Sequence, residues 1–234
     1  MKATLRVILV PALAALALFG HAVARAEPPP PSGTTIFSDD FSTKNTSLWR
    51  YSAGASISNG QLVQAVDQVY DGQVITPIAY DFTDCTFTGQ LLGVPAVGNT
   101  ETGLSLNVDP RGLTGAGTIY MEWNGLVQGA TSGPNGQLLA SQDVPPPPGI
   151  AHYYYMGGQY TSNMWFRIRH SSATGLLYWE TSLNGTNWTT LASETPIIEI
   201  TSLYPTISTG WWPPGPSSPG AAVWDNVSLV RNTT

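Results

Sequence analysis

No window of this sequence longer than about ten residues keeps an apolar period of 3.6 without a glycine or proline cutting it. Short apolar stretches instead alternate with turn residues at intervals of roughly 8–12 residues, the spacing of a sandwich or barrel. Composition points the same way. The 234 residues include 24 Gly and 19 Pro, and only 10% are charged, against about 25% in an ordinary soluble domain. Helices disfavour both Gly and Pro. A helical bundle and a coiled coil are therefore excluded, and an all-β chain with Ser, Thr, Asn and Gln on its surface is expected.

The first 26 residues are read as a signal peptide outside the fold. Lys2 and Arg6 make a positive start, Val7 to Phe19 is an apolar run, and Ala24-Arg25-Ala26 offers a small-x-small cleavage site. The run is shorter than the roughly 20 residues a bilayer span needs. The expectation is a secreted chain with no membrane insertion after cleavage behind Ala26. Lys2, Arg6 and Arg25 leave with the leader, so the nine basic residues fall to six against fifteen acids, a net charge of −9. An acidic chain with no basic stretch is not a nucleic-acid binder. Residues 27–33, with four consecutive prolines, read as an extended spacer. Residues 34–231 then read as one domain, because strand patterns continue across the proline-rich loops at 144–149 and 213–219. Cys85 has no partner for a disulfide and lies in an apolar alternation, so it is read as a buried structural thiol rather than a nucleophile.

The reading places strands at 34–38, 55–58, 61–66, 73–76, 85–92, 104–108, 118–123, 137–141, 152–155, 164–170, 176–182, 188–192, 197–200, 206–210 and 222–230. The clearest local structure runs from Met164 to Leu191. In Trp165-Phe166-Arg167-Ile168-Arg169 side chains alternate faces. Ser171 to Gly175 makes a turn, the chain returns through Leu176 to Ser182, and Asn184-Gly185 supplies the positive torsions of a second tight turn before Trp188 opens the next strand.

The succession from Trp165 to Arg169 and from Tyr178 to Trp188 resembles the later strands of concanavalin A-like lectin and glucanase domains, laminin-G-like ones included. Phe37-Ser38-Asp39-Asp40-Phe41, Trp49 and Asn59-Gly60-Gln61-Leu62 resemble their entry, and Trp224-Asp225-Asn226-Val227 their closing strand. The resemblance implies a jelly-roll sandwich of two antiparallel sheets, one concave, with first and last strands side by side. It also implies a structural calcium near that join, held by Asp39, Asp40 and Asp225, with Asn226 beside them. Calcium prefers several oxygen ligands; turn-capping is the plainer role for these residues.

Members of that superfamily bind glycans or cleave them. The glucanases carry a Glu-x-Asp-x-x-Glu run, since glycoside hydrolysis needs two carboxylates. This sequence has no such run. Its nearest equivalent is Tyr120-Met121-Glu122-Trp123-Asn124, in which Tyr120, Glu122 and Asn124 share a face but only Glu122 is acidic. Glu180 is the candidate second carboxylate from another strand, and its plainer role is to pair with Arg167 or Arg169. No Gly-x-Ser-x-Gly elbow is present, and His152 and His170 are the only histidines behind the leader.

Aromatics give the remaining signal. Trp49, Trp123, Trp165, Trp188 and Trp224 fall in strand patterns and are assigned to the core. Tyr153-Tyr154-Tyr155 and Trp211-Trp212 look different: rings on an edge or loop stack on sugars. For Trp211 and Trp212, a lid over the end of the sandwich is an equal alternative. The sequence therefore suggests a secreted, non-catalytic, lectin-like or adhesin-like glycan-binding domain using Tyr120, Glu122, Asn124, Tyr154, Tyr155, Trp211 and Trp212. The alternatives are a divergent glycoside hydrolase or lyase using Glu122 with Glu180, and a surface protein whose aromatics meet other proteins.

Overall fold

A computed structural model describes residues 33–66, 72–96, 98–111, 117–125, 136–144, 150–156, 160–211 and 218–233, with backbone alone for 150–156. The expected leader and nearly all of the spacer lie outside the described residues. Among them there is no helix, and fifteen strands form two antiparallel sheets.

The strands are β1 (Gly33–Asp39), β2 (Arg50–Tyr51), β3 (Ala55–Ser58), β4 (Gln61–Ala65), β5 (Gly72–Ile75), β6 (Cys85–Gly93), β7 (Thr100–Asn107), β8 (Thr118–Asn124), β9 (Gln137–Val144), β10 (Ile150–Met156), β11 (Met164–Ser171), β12 (Leu176–Ser182), β13 (Thr189–Glu194), β14 (Tyr204–Trp211) and β15 (Ala221–Asn232). One sheet runs β13-β12-β11-β6-β15-β4-β3, and β1 joins it on β15. The other runs β10-β9-β8-β7-β14-β5-β2. The long β15 pairs with β4 through Ala221–Trp224 and with β1 through Val227–Asn232, so first and last strands do lie side by side. This is a jelly-roll sandwich, as the sequence suggested.

Alternation builds the core. Phe166 and Ile168 of β11, Leu177 and Trp179 of β12, Phe87 and Leu91 of β6, and Trp224 and Leu229 of β15 turn inward from the eight-stranded sheet. Leu104 and Leu106 of β7, Ile119, Met121 and Trp123 of β8, and Ile207 of β14 meet them from the seven-stranded one. Burial of this apolar surface is the main stabilising force. Each buried indole N–H also needs an acceptor. Trp224 donates to Thr102 Oγ1 at 2.9 Å and Trp179 to the Tyr120 carbonyl at 2.9 Å, two hydrogen bonds that tie one sheet to the other. Trp49 donates to Asp39 Oδ2 at 2.9 Å.

Cys85 is fully buried, and burial pushes its thiol up to about 11, so it is a structural thiol and not a nucleophile.

The structure departs from these expectations in five places. The segment 197–200 is not a strand, and the short β2 was not anticipated. β7 begins at Thr100, four residues before its expected start. The connection after β12 spans Leu183 to Trp188 and is longer than a tight turn. Gly185 takes a positive φ of 73° there and Asn184 does not. Asn184 instead accepts the N–H groups of Thr186 and Asn187, replacing turn torsions with side-chain caps. Finally, Trp165 and Trp188 are half-buried on the outside of the eight-stranded sheet, not in the core.

Candidate active site

Register fixes what shares a face with Glu122. On β8, Met121 and Trp123 face the core, so Tyr120, Glu122 and Asn124 point outward from the seven-stranded sheet. Across β7, Glu122 pairs with Gly103, Asn124 with Glu101 and Tyr120 with Ser105. Across β9, Glu122 pairs with Leu139, Asn124 with Gln137 and Tyr120 with Ser141. The row of Glu122 continues through Gly103 to Ser208 of β14 and Gln73 of β5. The face is therefore mostly polar, yet much of it is withdrawn from solvent: Glu122 is 8% exposed, and Asn107, Asn124, Ser141 and Thr206 are buried.

Hydrogen bonds fix these side chains. Asn124 Nδ2 donates to Glu122 Oε1 at 3.0 Å. Asn107 Nδ2 donates to Thr206 Oγ1 at 2.8 Å and Ser105 Oγ at 3.2 Å, and Thr118 Oγ1 donates to Asn107 Oδ1 at 3.0 Å. Behind Glu122, the Trp179 indole anchors β8 at Tyr120. Gly103 opposite Glu122 has a packing reason: a Cβ there would lie 2.6 Å from Glu122 Cβ and 2.8 Å from its Cα. No side chain fits on β7 beside the Glu122 stem.

Glu101 is the residue the sequence reading missed. It shares the outer face with Glu122, offset by one register row, and is half-exposed. Diagonal positions on an antiparallel pair are about 7–8 Å apart, which long side chains span. The signal was present in the alternation Glu101-Thr102-Gly103-Leu104-Ser105-Leu106-Asn107. Starting the strand at Leu104 cut Glu101 away from it.

Glu180 does not join Glu122. It lies on β12 of the eight-stranded sheet, on the outward side opposite to Trp179, so the sandwich separates the two acids. Register places Arg167 directly opposite it. Arg167 Nε donates to Glu180 Oε2 at 2.6 Å, and Arg169 donates from Nε to Oε2 at 3.2 Å and from Nη2 to Oε1 at 3.3 Å. Trp188 stacks over the Arg167 guanidinium at 4.0 Å and Tyr178 over Arg169 at 4.1 Å. Burial alone would raise the Glu180 carboxyl; Arg167 and Arg169 outweigh it and hold it below its usual range. This carboxylate is structural, and the catalytic pairing of Glu122 with Glu180 is withdrawn.

The aromatic candidates divide. Trp211 ends β14 on the parity of Ile207 and Thr209, which face inward, and is half-buried. That position suits a lid at the end of the sandwich, not the outward sheet face. Trp212 lies outside the described residues. For Tyr154 and Tyr155 only the backbone is described: Tyr155 pairs with Leu139, in the row of Glu122, and Tyr154 with Ala140.

Asp39 and Asp40 line a cavity of about 610 Å³ on the outside of the eight-stranded sheet, with Asn226 and Ser228 across from them. Burial raises the nearby Asp225 carboxyl above 3.8; the Asn226 N–H opposes this, and the charges of Asp40 and Asp39 raise it further. Asp39 already accepts from the Phe41 N–H and the Trp49 indole, and Asp225 from the Asn226 N–H. Among the described residues no three acidic, histidine or cysteine side chains converge as a metal cage. Carbonyl and amide oxygens would have to complete any calcium shell.

The sandwich and its strand order define a concanavalin A-like jelly roll. Among solved structures, the chain is similar to a glycoside hydrolase family 16 endo-glucanase from Bacteroides ovatus, with 11% identity, a TM-score of 0.66, and 82% of this chain and 99% of that one covered. It is also similar to the catalytic domain of a Thermotoga petrophila laminarinase (12%, 0.59, 87% and 100%) and to a kappa-carrageenase from Pseudoalteromonas carrageenovora (10%, 0.60, 91% and 100%). No family model and no curated protein matches the chain. At these identities the likeness establishes the fold.

Proposed function

We propose that this chain acts on a polysaccharide as a divergent glycoside hydrolase, with Glu122 and Glu101 as its two carboxylates. The observation that carries this reading is the diagonal placement of those two acids on one polar face of the seven-stranded sheet. Glycoside hydrolysis needs two carboxyl groups between roughly 5 and 9.5 Å apart across the scissile bond, and diagonal strand positions reach that range. Glu122, oriented by the Asn124 amide, acts as nucleophile or base. Glu101, the more exposed, acts as the acid that protonates the leaving oxygen. The solved structures of similar fold, described as a glucanase, a laminarinase and a carrageenase, support a glycan substrate over the non-catalytic role suggested by sequence. Glu101 and Glu122 together disfavour a polymer bearing acidic groups here. Release of reducing ends from a polysaccharide panel, lost in Glu122→Gln, tests the reading.

Two supporting proposals accompany it. The chain is exported and cleaved behind Ala26; amino-terminal sequencing of the mature protein should begin at Glu27, and a chain retaining Met1 would refute export by this route. Calcium bound near Asp39, Asp40 and Asp225 would offset the burial of the Asp225 carboxyl and, with it, the smaller repulsion from Asp40 and Asp39, which together raise it. Chelator should then lower the thermal midpoint, and an unchanged midpoint would overturn the proposal.

A further inference from the structure

We infer that the cavity beside Trp165 is a second sugar-binding site, on the opposite side of the sandwich from Glu122. Trp165 projects outward from β11, in a register row with Ser182, Gln90 and Asp225. A Cβ built on Gly185 would lie 3.0 Å from Trp165 Cε2 and 3.3 Å from both Cδ2 and Cζ2. Near-equal approach to these three atoms, two of them at the ring fusion, puts the Gly185 backbone over one face of the indole. The indole also lines the cavity, so one side is braced by the chain while the ring is presented to the space beside it. Along the same face of β11, Trp188 and Tyr178 cover the guanidinium groups of Arg167 and Arg169.

Around this ring stand groups suited to sugar hydroxyls. Asp40, Ser42, Thr43 and Asn45 come from the segment after β1, and Asn226 and Ser228 from β15. A bulge between Asp225 and Ser228 lets Val227 enter the core while Asn226, at a φ of 49°, lines the cavity. Asn226 Nδ2 is held by Gln90 Oε1 at 2.9 Å. A braced aromatic face with amides, hydroxyls and carboxylates at its margin is the chemistry of a pyranose site. Among the described residues no basic side chain lines the cavity, whereas Asp39 and Asp40 do. Its ligand is therefore a sugar without acidic substituents, neutral or amine-bearing. The sheets of a sandwich are about 10 Å apart, so one bound ring cannot touch this site and Glu122 together. The site stands whether or not Glu122 is catalytic.

The test is calorimetric titration of full-length Glu122→Gln protein, in chelator, with cello-oligosaccharide, chitosan oligosaccharide and polygalacturonate. At least one of the first two should bind, and polygalacturonate should not. Trp165→Ala should remove one binding site per chain or weaken binding at least tenfold. Asp40→Ala, an exposed change, should weaken it severalfold and leave the thermal midpoint measured in chelator, where no calcium is held, unchanged. Unchanged binding in either variant would overturn the inference. So would binding of neither non-acidic probe, tighter binding of polygalacturonate, or loss of all binding in chelator.

Discussion

Glu122→Gln is expected to cut release of reducing ends by about 10²–10⁴-fold, the range that a positioned acid–base group supplies. Glutamine preserves the shape of the side chain and can still accept from Asn124 Nδ2, so the fold and substrate binding should persist while turnover falls. Glu101→Gln should cause a comparable loss, because the reaction needs both carboxyls and removing either breaks the pair. Glu180→Gln is the control among the acids. It lies on the other sheet, and its turnover per folded molecule should match that of the parent protein. If Glu122→Gln cleaves as fast as the parent, or no polysaccharide is cleaved by the parent at all, the hydrolase reading fails. Glycan binding on the same polar face, the role favoured by the sequence alone, would then stand.

Glu180→Gln should instead be the most destabilising of these changes. Side chains of Arg167 and Glu180 are 5% and 4% exposed, and Arg169 is enclosed to the same degree. One carboxylate pairs with two guanidinium groups there and also accepts from Thr190 Oγ1. Removing one partner of a buried ionic cluster leaves uncompensated charge and costs about 3–5 kcal/mol. For a domain of this size that lowers the thermal midpoint by on the order of 10 °C. A midpoint within a degree or two of the parent would show that the cluster contributes little. Replacing all three residues by apolar ones of similar volume should cost much less, since no charge is then stranded.

The same cluster sets a pH dependence. The folded-state value for Glu180 lies below its ordinary 4.5. Between those two values the unfolded chain binds the proton more readily than the folded one, so stability rises with pH across that window. The contribution is fully present above about pH 4.5 and is lost as the pH falls through the lower, folded value. Thermal midpoints of parent and Glu180→Gln should therefore converge as the solution is acidified below pH 4.5. A gap that widens instead would contradict the assignment.

Much of this molecule was legible along the chain because its signals are local. The β11–β12 hairpin closes through a short turn, so its two strands and their alternation could be followed, and a pairing with Arg167 or Arg169 was the plainer role for Glu180; the register that sets it opposite Arg167 belongs to the structure. Other errors have separate causes. Trp165 and Trp188 were placed in the core because an indole is apolar enough for either side, and strand alternation does not say which side is inward. Trp165 shares its face with arginines, and Trp188 covers one of them. Glu101 was lost because the strand was started at Leu104, which left Glu101 outside β7 and its diagonal to Glu122 out of view.

By itself, the sequence determined an all-β sandwich, the alternation within its strands and the scarcity of groups for acid–base chemistry. Those follow from backbone propensity, from the two-residue period of a strand and from composition, none of which needs a distant partner. Only the tertiary structure decided that Glu101 stands with Glu122, that Glu180 stands behind the opposite sheet, and that Trp165 borders a cavity. A strand's period states which residues share a side. Which sheet the strand enters, and at what register, is settled by pairings between segments far apart in the chain.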